Sequence, residues 1–485
     1  MDACVVFQTL GCRLNKIESE SAAEAFSRSG FAVSGGPVSA AAPANAAVPL
    51  CVVNTCAVTQ KAEQKTRRTI RLLLEKYPAA TVVVTGCSAE LSAAALGAID
   101  RRIAVLPGQR KSRLETVPRV VKKLIDRKHF DPVACASMLM ETVCRAPLLR
   151  AGVAENAFLL STGTFRLQSR AAIKIQDGCN GACTYCAIRT ARGQAVSLAA
   201  DEVVRRVRAL ERAGQTEVTL TGVNIAQYRG ACGETYCGFT ELLRMLLDQT
   251  ERIVFRISSI SPRLIDDNFC ATVSHERICP HFHLSVQSGS DAVLMAMGRS
   301  YTAQDVVRAV RALRTAKDNP YIACDIIAGF PGETERHFSE TAALADACGF
   351  TWIHAFPFSP RPGTPAAAFH DVVPAAIAKE RVRQLLSRAV RNKTAYISSY
   401  EGTVCPAVAE AVRRPSILTT DSDSILFHAV TDNFIHCEIR CAGMEPPRPG
   451  ERIAVQVEKP FIDRIARGDE WEAAGVLVGS AAATA

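Results

Sequence analysis

The chain has 485 residues, 19 cysteines and a formal net charge of +9. Such a length predicts about two to four domains, and the absence of a long uninterrupted apolar run argues against a membrane-spanning helix. The N-terminus lacks the basic start and apolar core of a signal peptide, so we expect a cytoplasmic protein. In that compartment many cysteines favour metal or redox chemistry over disulfides, and the positive charge permits a polyanionic partner without requiring one.

Residues 1–135 contain three similar units, each an apolar run followed by a turn that carries a cysteine. The runs cover residues 4–8, 51–54 and 81–85, and the cysteines are Cys12, Cys56 and Cys87. Helical patterns over 17–30, 60–76 and 88–98 follow them, which predicts a parallel βαβ sheet. Loops after parallel strands gather at one sheet edge, so the three cysteines are expected to converge and form a metal-cluster site. Three isolated buried thiols are the alternative.

The helix predicted over 60–76 is strongly basic. It carries Lys61, Lys65, Arg67, Arg68 and Arg71. A solvated helix face and a phosphate-contacting surface beside the cysteines are both compatible with this pattern.

Strands and helices alternate regularly through residues 169–392, after a connector predicted over 136–168. The predicted strands cover 171–175, 217–221, 253–259, 281–287, 321–328 and 351–358, with helices at 201–213, 239–249, 263–274, 303–316 and 334–348. Six strand–helix units predict a parallel barrel or an incomplete one.

The carboxyl ends of such barrel strands usually hold the ligand. The polar and glycine candidates at these ends are Gly222, Asn224, Ser285, Gln287 and Asp325. Turn formation is the alternative interpretation for each glycine or polar residue. His281 and His283 alternate along one strand, and packing is their expected role, whereas Arg192 and Arg299 could balance a carboxylate or phosphate.

Cys179, Cys183 and Cys186 follow the first barrel strand, with three and two residues between them. Thiolates bind soft metal centres, and a cubane iron–sulfur cluster usually takes four of them. Three closely spaced ligands therefore leave one iron open to a distant cysteine or a substrate. A structural zinc site is the competing interpretation, although it would want a fourth ligand.

This CxxxCxxC motif, with Tyr185 before its last cysteine, resembles the signature of the radical S-adenosylmethionine (SAM) enzymes. The resemblance implies a [4Fe-4S] cluster whose open iron binds SAM, and a partial barrel of six units. It also implies that the strand-end candidates contribute to the SAM pocket.

Beyond residue 393 the period of the pattern shortens. Runs at 404–409, 416–419, 425–430, 434–440 and 452–458 predict a small five-stranded β-barrel over 393–462. In the fourth run Ile435, Cys437 and Ile439 are predicted to face inward, and Phe434, His436 and Arg440 outward. An aromatic and basic outer face could bind RNA. Residues 463–485 are predicted to be a tail, Ala-rich and frayed from about residue 475.

In this order, the three domains resemble the radical SAM methylthiotransferases over nearly the whole chain, to about residue 462. The fold class is therefore α/β, with an N-terminal cluster-binding domain, a (β/α)6 barrel and a TRAM-like β-barrel. Segments 284–290, 325–334 and 356–365 are most similar to the branch that acts on threonylcarbamoyladenosine in tRNA.

The resemblance implies two [4Fe-4S] clusters. One, on Cys179, Cys183 and Cys186, cleaves SAM to a radical, and the other, on Cys12, Cys56 and Cys87, carries or supplies sulfur. The implied product bears a methylthio group on carbon 2 of N6-threonylcarbamoyladenosine at tRNA position 37. The implied partners are the tRNA anticodon loop and a reduced flavodoxin- or ferredoxin-type electron donor, with the sulfur donor and any further catalytic residue unassigned.

Two alternatives remain open from the sequence. The first keeps the chemistry but changes the substrate to isopentenyladenosine in tRNA or an aspartate of a ribosomal protein. The second is a non-catalytic iron–sulfur protein that binds RNA.

Overall fold

The structure is a computed structural model that describes residues 3–36, 38–125, 130–145, 157–160, 162–163, 165, 167–410, 424–442 and 445–480. The chain divides into two compact units. Unit 1 runs to residue 168 and also takes 174–198 and 359–367, whereas unit 2 takes 169–173, 199–358 and the chain from 368 onward. The segment with the closely spaced cysteines therefore belongs to unit 1.

A five-stranded parallel sheet forms the centre of the first 145 residues, in the order β2-β1-β3-β4-β5. Its strands are β1 (Cys4–Thr9), β2 (Ala32–Gly35), β3 (Leu50–Thr55), β4 (Thr81–Gly86) and β5 (Ile103–Val105). The helices are α1 (Arg13–Arg28), α2 (Gln60–Lys76), α3 (Cys87–Leu91), α4 (Ala93–Gly97), α5 (Val117–Ile125) and α6 (Pro132–Leu139). The predicted parallel sheet is confirmed, and β2 and β5 extend it at its two edges.

The sheet is covered on both faces, which explains why its central strands read as continuous apolar runs. All residues of β3 and β4 are buried. Phe7 and Phe26 pack on one face, and Ile70 and Leu73 of α2 pack on the other.

Part of the predicted connector belongs to this core. Residues 136–144 complete α6 and a π-helical turn, Met140–Cys144, instead of linking domains. Leu139, Val143 and Cys144 are buried in the same cluster as Phe7. The prediction failed here because the helix is too short for a clear period. The stretch at 146–156 lies outside the described residues.

The second part of the chain follows the predicted alternation. Its strands are β6 (Ala171–Lys174), β7 (Gln176–Asp177), β8 (Val196–Ser197), β9 (Glu217–Thr221), β10 (Gly230–Cys232), β11 (Thr235–Cys237), β12 (Val254–Ile257), β13 (His281–Gln287), β14 (Tyr321–Ala328) and β15 (Trp352–Pro357). Its helices are α7 (Ile188–Arg192), α8 (Ala200–Arg212), α9 (Phe239–Gln249), α10 (Asp267–Val273), α11 (Asp291–Ala296), α12 (Ala303–Ala316), α13 (Glu335–Cys348) and α14 (Ala375–Ser398).

Six of these strands form the predicted partial barrel. They pair in the orders β6-β9-β12 and β13-β14-β15. Parallel bridges from Phe255 to Ile278 and from Ile260 to Leu284 connect the β12 region with β13. No helix among the described residues combines the length and apolar character that a membrane crossing requires.

The C-terminal part of unit 2 is a closed β-barrel in the order β16-β17-β18-β20-β19. Its elements are β16 (Val404–Ala409), β17 (Ser424–Thr431), β18 (His436–Ala442), β19 (Arg452–Pro460), α15 (Ile462–Arg467) and β20 (Ala473–Ser480). The barrel is confirmed, but the strand predicted at 416–419 lies outside the described residues.

The tail predicted over 463–485, and its fraying from about 475, are wrong for residues up to 480. β20 pairs with β18 and β19 and closes the barrel. Its many glycine and alanine residues made it resemble a tail in the sequence. A Cβ on Gly475 would lie 2.8 Å from the Ile439 Cδ1 and 3.0 Å from the Val455 Cγ1, so the packed barrel interior favours a glycine there.

For residues 434–440, the prediction of the inward-facing side chains is correct, and that of the outward-facing side chains is partly wrong. Ile435, Cys437 and Ile439 are buried. Phe434 does not face outward, because its ring stacks on His281 at 3.9 Å. His436 is half-buried against Trp471, and Arg440 is exposed but pairs with Glu458 at 3.5 Å. The outer face is therefore less open to RNA bases than predicted.

Candidate functional site

The loop between β7 and α7 presents Cys179, Cys183 and Cys186. The amide of Gly181 donates a hydrogen bond to the Cys179 Sγ at 3.2 Å, and the Cys186 amide donates to the Cys183 carbonyl at 3.1 Å. A Cβ on Gly181 would lie 3.2 Å from the Cys179 Sγ and 3.8 Å from the Cys183 Sγ. The sulfurs of Cys179 and Cys183 therefore lie close to Gly181, which has no side chain. Cys179 and Cys183 are half-buried, and Cys186 is exposed.

The structure brings Cys12, Cys56 and Cys87 to the carboxyl edge of the N-terminal sheet. Cys12 caps α1, Cys56 follows β3, and Cys87 begins α3. A Cβ on Gly11, beside Cys12, would lie 2.6 Å from the Cys56 Cβ and 2.9 Å from its Sγ. The two loops thus approach as closely as backbone allows, which requires glycine.

The electrostatic environment of Cys56 shows that these thiols are neighbours. Its pKa is raised to about 11, mainly by burial, with smaller increases from the nearby Cys87 and Cys12 thiols that the Val58 amide and Arg192 partly oppose. The protein environment by itself therefore disfavours a thiolate at Cys56. A bound cation would reverse this balance, since metal binding displaces the thiol protons.

Neither cysteine triad has its three sulfurs within 4.8 Å of one another. Among the described residues, the only three Cys, His or acidic groups that close are Glu217, Cys279 and Asp432. A tetrahedral zinc ion, with zinc–sulfur bonds of about 2.3 Å, would need sulfurs within about 4 Å of one another. A cubane cluster does not need such close sulfurs, because each thiolate binds a different iron.

A buried network of charges lies beside both triads in unit 1. Glu18 of α1 accepts from Lys111 at 2.8 Å, Lys174 at 3.0 Å and Arg192 at 3.2 Å. Asp177 accepts from Lys174 at 3.0 Å and from Arg192 at 2.9 Å. Three cations thus face two carboxylates. The surplus positive charge can offset the negative charge of cluster thiolates.

Both carboxyl groups of this network are held ionised. Burial raises the pKa of Glu18 and of Asp177, but the surrounding cations outweigh it and hold both pKa values far below their usual range. Charges on Cys87 and Cys12 act on Arg192, so this guanidinium lies near the N-terminal triad while it follows the CxxxCxxC loop in sequence. Arg192 is therefore buried and paired with two carboxylates of the chain itself, which excludes the alternative of a surface charge.

Asn15 connects these elements through one buried carboxamide. Its Nδ2 donates to the carbonyl of Leu10 at 2.8 Å and to that of Thr55 at 2.9 Å. Its Oδ1 accepts from Arg192 Nη2 at 2.8 Å. The two carbonyls lie in the loops of Cys12 and Cys56, so the three bonds fix both loops to the helix that follows Cys186. Sequence-based reasoning missed Asn15, and only its position three residues after Cys12 could have signalled it.

Apolar packing joins the same elements. Ala191 of α7 is buried against Ala57 and Cys87. The two cysteine triads therefore lie on adjoining elements of one compact unit.

In unit 2, the strand-end candidate Asp325 belongs to a polar group that the sequence did not predict. Asp325 on β14 lies 3.2 Å from the His283 Nε2, and the His283 Nδ1 lies 3.1 Å from the Ser259 hydroxyl. His354 on β15 pairs with Asp325 across the strands. Packing was the expected role of both neighbouring histidines. It is correct for buried His281, but His283 holds the Asp325 carboxylate.

The charge of Asp325 is maintained in spite of burial. Burial raises its pKa, but the hydrogen bond and charge of His283, with smaller effects of His354 and Arg299, lower it below the usual value. Burial and the neighbouring His283 lower the pKa of His354 to about 4. The site therefore presents an anionic carboxylate beside a neutral imidazole at neutral pH.

The other candidates lie at the carboxyl ends of β9 and β13. Gly222 and Asn224 are half-buried after β9, and half-buried Ser285 donates its amide to the Ile260 carbonyl at 2.9 Å. Gln287 is buried with a φ of 70°, a left-handed conformation that non-glycine residues rarely adopt. Backbone strain of this kind is concentrated at functional sites.

Comparison with known proteins identifies two matched regions. Residues 173–345 match the radical SAM superfamily, and residues 4–108 match an uncharacterized protein family, UPF0004. A threonylcarbamoyladenosine tRNA methylthiotransferase of Treponema pallidum is 42% identical over 93% of this chain and 98% of the relative. The chain belongs to this methylthiotransferase family.

Two further relatives are similar to this chain at lower identity. The threonylcarbamoyladenosine tRNA methylthiotransferase of Thermotoga maritima is 32% identical, covering 88% of this chain and 92% of the relative. A tRNA-2-methylthio-N(6)-dimethylallyladenosine synthase of Erythrobacter litoralis is 29% identical, covering 83% and 85%. In this methylthiotransferase, each cysteine triad falls within one of the two matched regions.

Proposed function

We propose that this enzyme adds a methylthio group to carbon 2 of N6-threonylcarbamoyladenosine at position 37 of tRNA. Two cysteine triads on adjoining elements of one compact unit carry the proposal. The name of the relative at 42% identity supports the choice of substrate over isopentenyladenosine. A ribosomal-protein aspartate and a purely RNA-binding role have no comparable support.

In this proposal, Cys179, Cys183 and Cys186 hold one [4Fe-4S] cluster. When bound, this cluster and SAM supply the radical chemistry that an unreactive aromatic C–H bond requires. The chain contributes three thiolates, and the Gly181 amide stabilises one of them by donating to the Cys179 Sγ. Three protein ligands leave a position where the amino and carboxylate groups of SAM can bind.

Cys12, Cys56 and Cys87 would hold the second [4Fe-4S] cluster, associated with the transferred sulfur. Gly11 allows their loops to meet, and the surplus charge on Lys111, Lys174 and Arg192 favours an anionic group nearby. The side chains of these three cations are nearly fully buried, which strengthens their electrostatic interactions.

The strand-end residues of unit 2 would contact SAM. The Asp325 carboxylate is oriented by His283 and can accept hydrogen bonds from an ammonium or a ribose hydroxyl. Asn224, Ser285 and Gln287 offer further polar groups, and Gly222 permits close approach of backbone. The expected electron donor is a reduced flavodoxin- or ferredoxin-type protein, and a tRNA substrate favours a cytoplasmic location.

Iron analysis and product analysis test the proposal together. After anaerobic reconstitution, the wild type should bind about eight irons, and replacing either triad with alanine should leave about four. Loss of Cys179, Cys183 and Cys186 should abolish reductive SAM cleavage, whereas loss of the other triad should leave it intact. A matched variant, Cys232/Cys237/Cys270→Ala, should keep full iron content and activity.

Mass spectrometry of digested tRNA then identifies the product. Incubation with SAM, a reductant and tRNA containing threonylcarbamoyladenosine should yield the 2-methylthio nucleoside. Modification of isopentenyladenosine alone, or RNA binding without SAM cleavage, would refute the proposed function.

A further inference from the structure

The solvent face of α2 carries four basic side chains, Lys61, Lys65, Arg68 and Arg71, which we call the α2 basic face. All four are exposed. The opposite side of the helix buries Thr66, Ile70, Leu73 and Leu74 against the sheet. At 100° per residue, the four basic residues fall within a sector of about 120°, so they form one continuous surface.

The four residues of this surface form no ion pair among the described residues, although exposed Glu75 lies one turn beyond Arg71 on the same side of the helix. The neighbouring Arg67 pairs with Glu63 at 3.9 Å. Four exposed arginines on other helices have an acid one turn away: Arg205, Arg308, Arg336 and Arg383 pair with Glu202, Asp305, Glu340 and Glu380. Arg208 and Arg311 are exposed without such a pair in the described part of the chain, so the distinguishing feature of α2 is the clustering of four basic residues on one face.

Stability of the helix does not explain the pattern. Like charges at i,i+3 and i,i+4 spacing repel each other, as Lys61 and Lys65 do. Lys61 also lies in the first turn, where the helix dipole disfavours a cation. The repulsion therefore destabilises the free protein, and a bound anionic ligand would relieve that repulsion.

The α2 basic face is placed close to the N-terminal cysteines. α2 begins four residues after Cys56, and its cap Thr59 accepts from the Ala62 amide at 3.1 Å. The Gln60 amide donates to the Ser359 hydroxyl at 3.1 Å, and Glu63 pairs with Arg361, so residues 359–367 anchor the same helix end. From Lys61 to Arg71 the helix rises about 15 Å, enough to follow several phosphates of a nucleic-acid strand.

We propose that the α2 basic face binds the phosphate backbone of the tRNA substrate. The inference rests on the proposed function, because it takes the polyanion from the substrate itself. Phosphate contacts position a nucleic acid without reading its sequence. The face should therefore control affinity for every substrate tRNA, while the barrel and cluster residues control the chemistry.

The test replaces all four residues with glutamine in the reconstituted full chain. Binding of a tRNA transcript is measured between 50 and 200 mM salt. Each phosphate contact to single-stranded RNA contributes about 0.7 to the salt slope, so losing four should reduce the slope by about 3. Over that range the wild type should lose about 50-fold more affinity than the variant. The KM for tRNA should rise, and kcat at saturating tRNA should stay within about twofold.

A matched control removes the same charge elsewhere. Glutamine at Arg205, Arg308, Arg336 and Arg383 should leave the salt slope unchanged. Reductive SAM cleavage without tRNA should be equal in the wild type and in both variants, which shows that the folds are intact.

The remaining outcomes separate this inference from the proposed function. If the wild type itself fails to bind tRNA, the proposed function falls. If the wild type binds and the α2 variant keeps its affinity and salt slope, the α2 proposal is overturned. An unchanged slope with slower reduction by an acidic flavodoxin also overturns it, and assigns the face to the electron donor.

Discussion

Replacing Asn15 with alanine should loosen the two loops that carry Cys12 and Cys56. The native carboxamide is fully buried and makes three hydrogen bonds, to the carbonyls of Leu10 and Thr55 and from the Arg192 guanidinium. The variant leaves two carbonyls and one guanidinium N–H without these partners. The loops should then open while the sheet below them stays folded.

The bonds set the size of the effect. A neutral hydrogen bond contributes about 1 kcal/mol, and one to a charged group about 1.5–3 kcal/mol. Two neutral bonds and one charged bond therefore give about 3–5 kcal/mol. Because about 1.4 kcal/mol corresponds to tenfold in an equilibrium constant, local opening should become a few hundred to a few thousand times more frequent.

Hydrogen exchange on the metal-free chain measures this opening directly. Amides near Cys12 and Cys56 should lose protection, while those of β14 in unit 2 should not change. Asn15→Asp keeps an acceptor for Arg192 but removes both donors, so the same amides should still open. Exposed Asn45→Ala is the control and should behave as the wild type.

Iron binding gives a second measurement. The Asn15→Ala variant should retain the iron of the CxxxCxxC triad and bind the other cluster weakly, at about four irons in total. Wild-type exchange in both loops, together with full iron content, would refute the role assigned to Asn15.

Two further predictions follow from backbone and charge. Gly86 has a φ of 95°, and a Cβ there would collide with Thr55. Gly86→Ala should therefore lower the free energy of unfolding in urea by about 2–5 kcal/mol. The control Gly36→Ala, with open space and a φ of 109°, should lower it by only about 1–2 kcal/mol, and equal losses would contradict this account. The pKa of His354 is about 4 in the folded chain and near 6.5 in the unfolded chain, so on acidification the unfolded chain binds the proton first. The free energy of unfolding should therefore fall as pH drops from about 6.5 to about 4. His354→Gln should flatten this pH dependence, and an unchanged slope would show that another group causes it.

Several features could be predicted because they depend on local spacing. The strands β3 and β4 are apolar runs, and strands and helices alternate regularly through the barrel. A parallel sheet necessarily brings the loops after neighbouring strands to one edge. Hence the convergence of Cys12, Cys56 and Cys87 followed from the order of elements. The CxxxCxxC site could be predicted without any knowledge of the fold, since its three thiols lie within eight residues of the sequence.

Other features depend on partners far apart in the chain. β20 looked like a tail because small residues form weak strands alone, and only its pairing with β18 and β19 makes it the closing strand of a barrel. The role of His283 was missed because its carboxylate partner, Asp325, comes from a neighbouring strand. An alternating strand pattern does not indicate which polar side chains on neighbouring strands will contact each other.

The sequence by itself determined which residues could bind metal clusters and the order of the three domains, because cysteine spacing and hydrophobic period are properties of neighbouring residues. The tertiary structure decided how the two triads are held together. Lys174 and Glu18 are 156 positions apart, yet their buried ion pair belongs to the network that joins the triads. Such pairing depends on burial and on the path of the chain, and both arise only when distant segments pack.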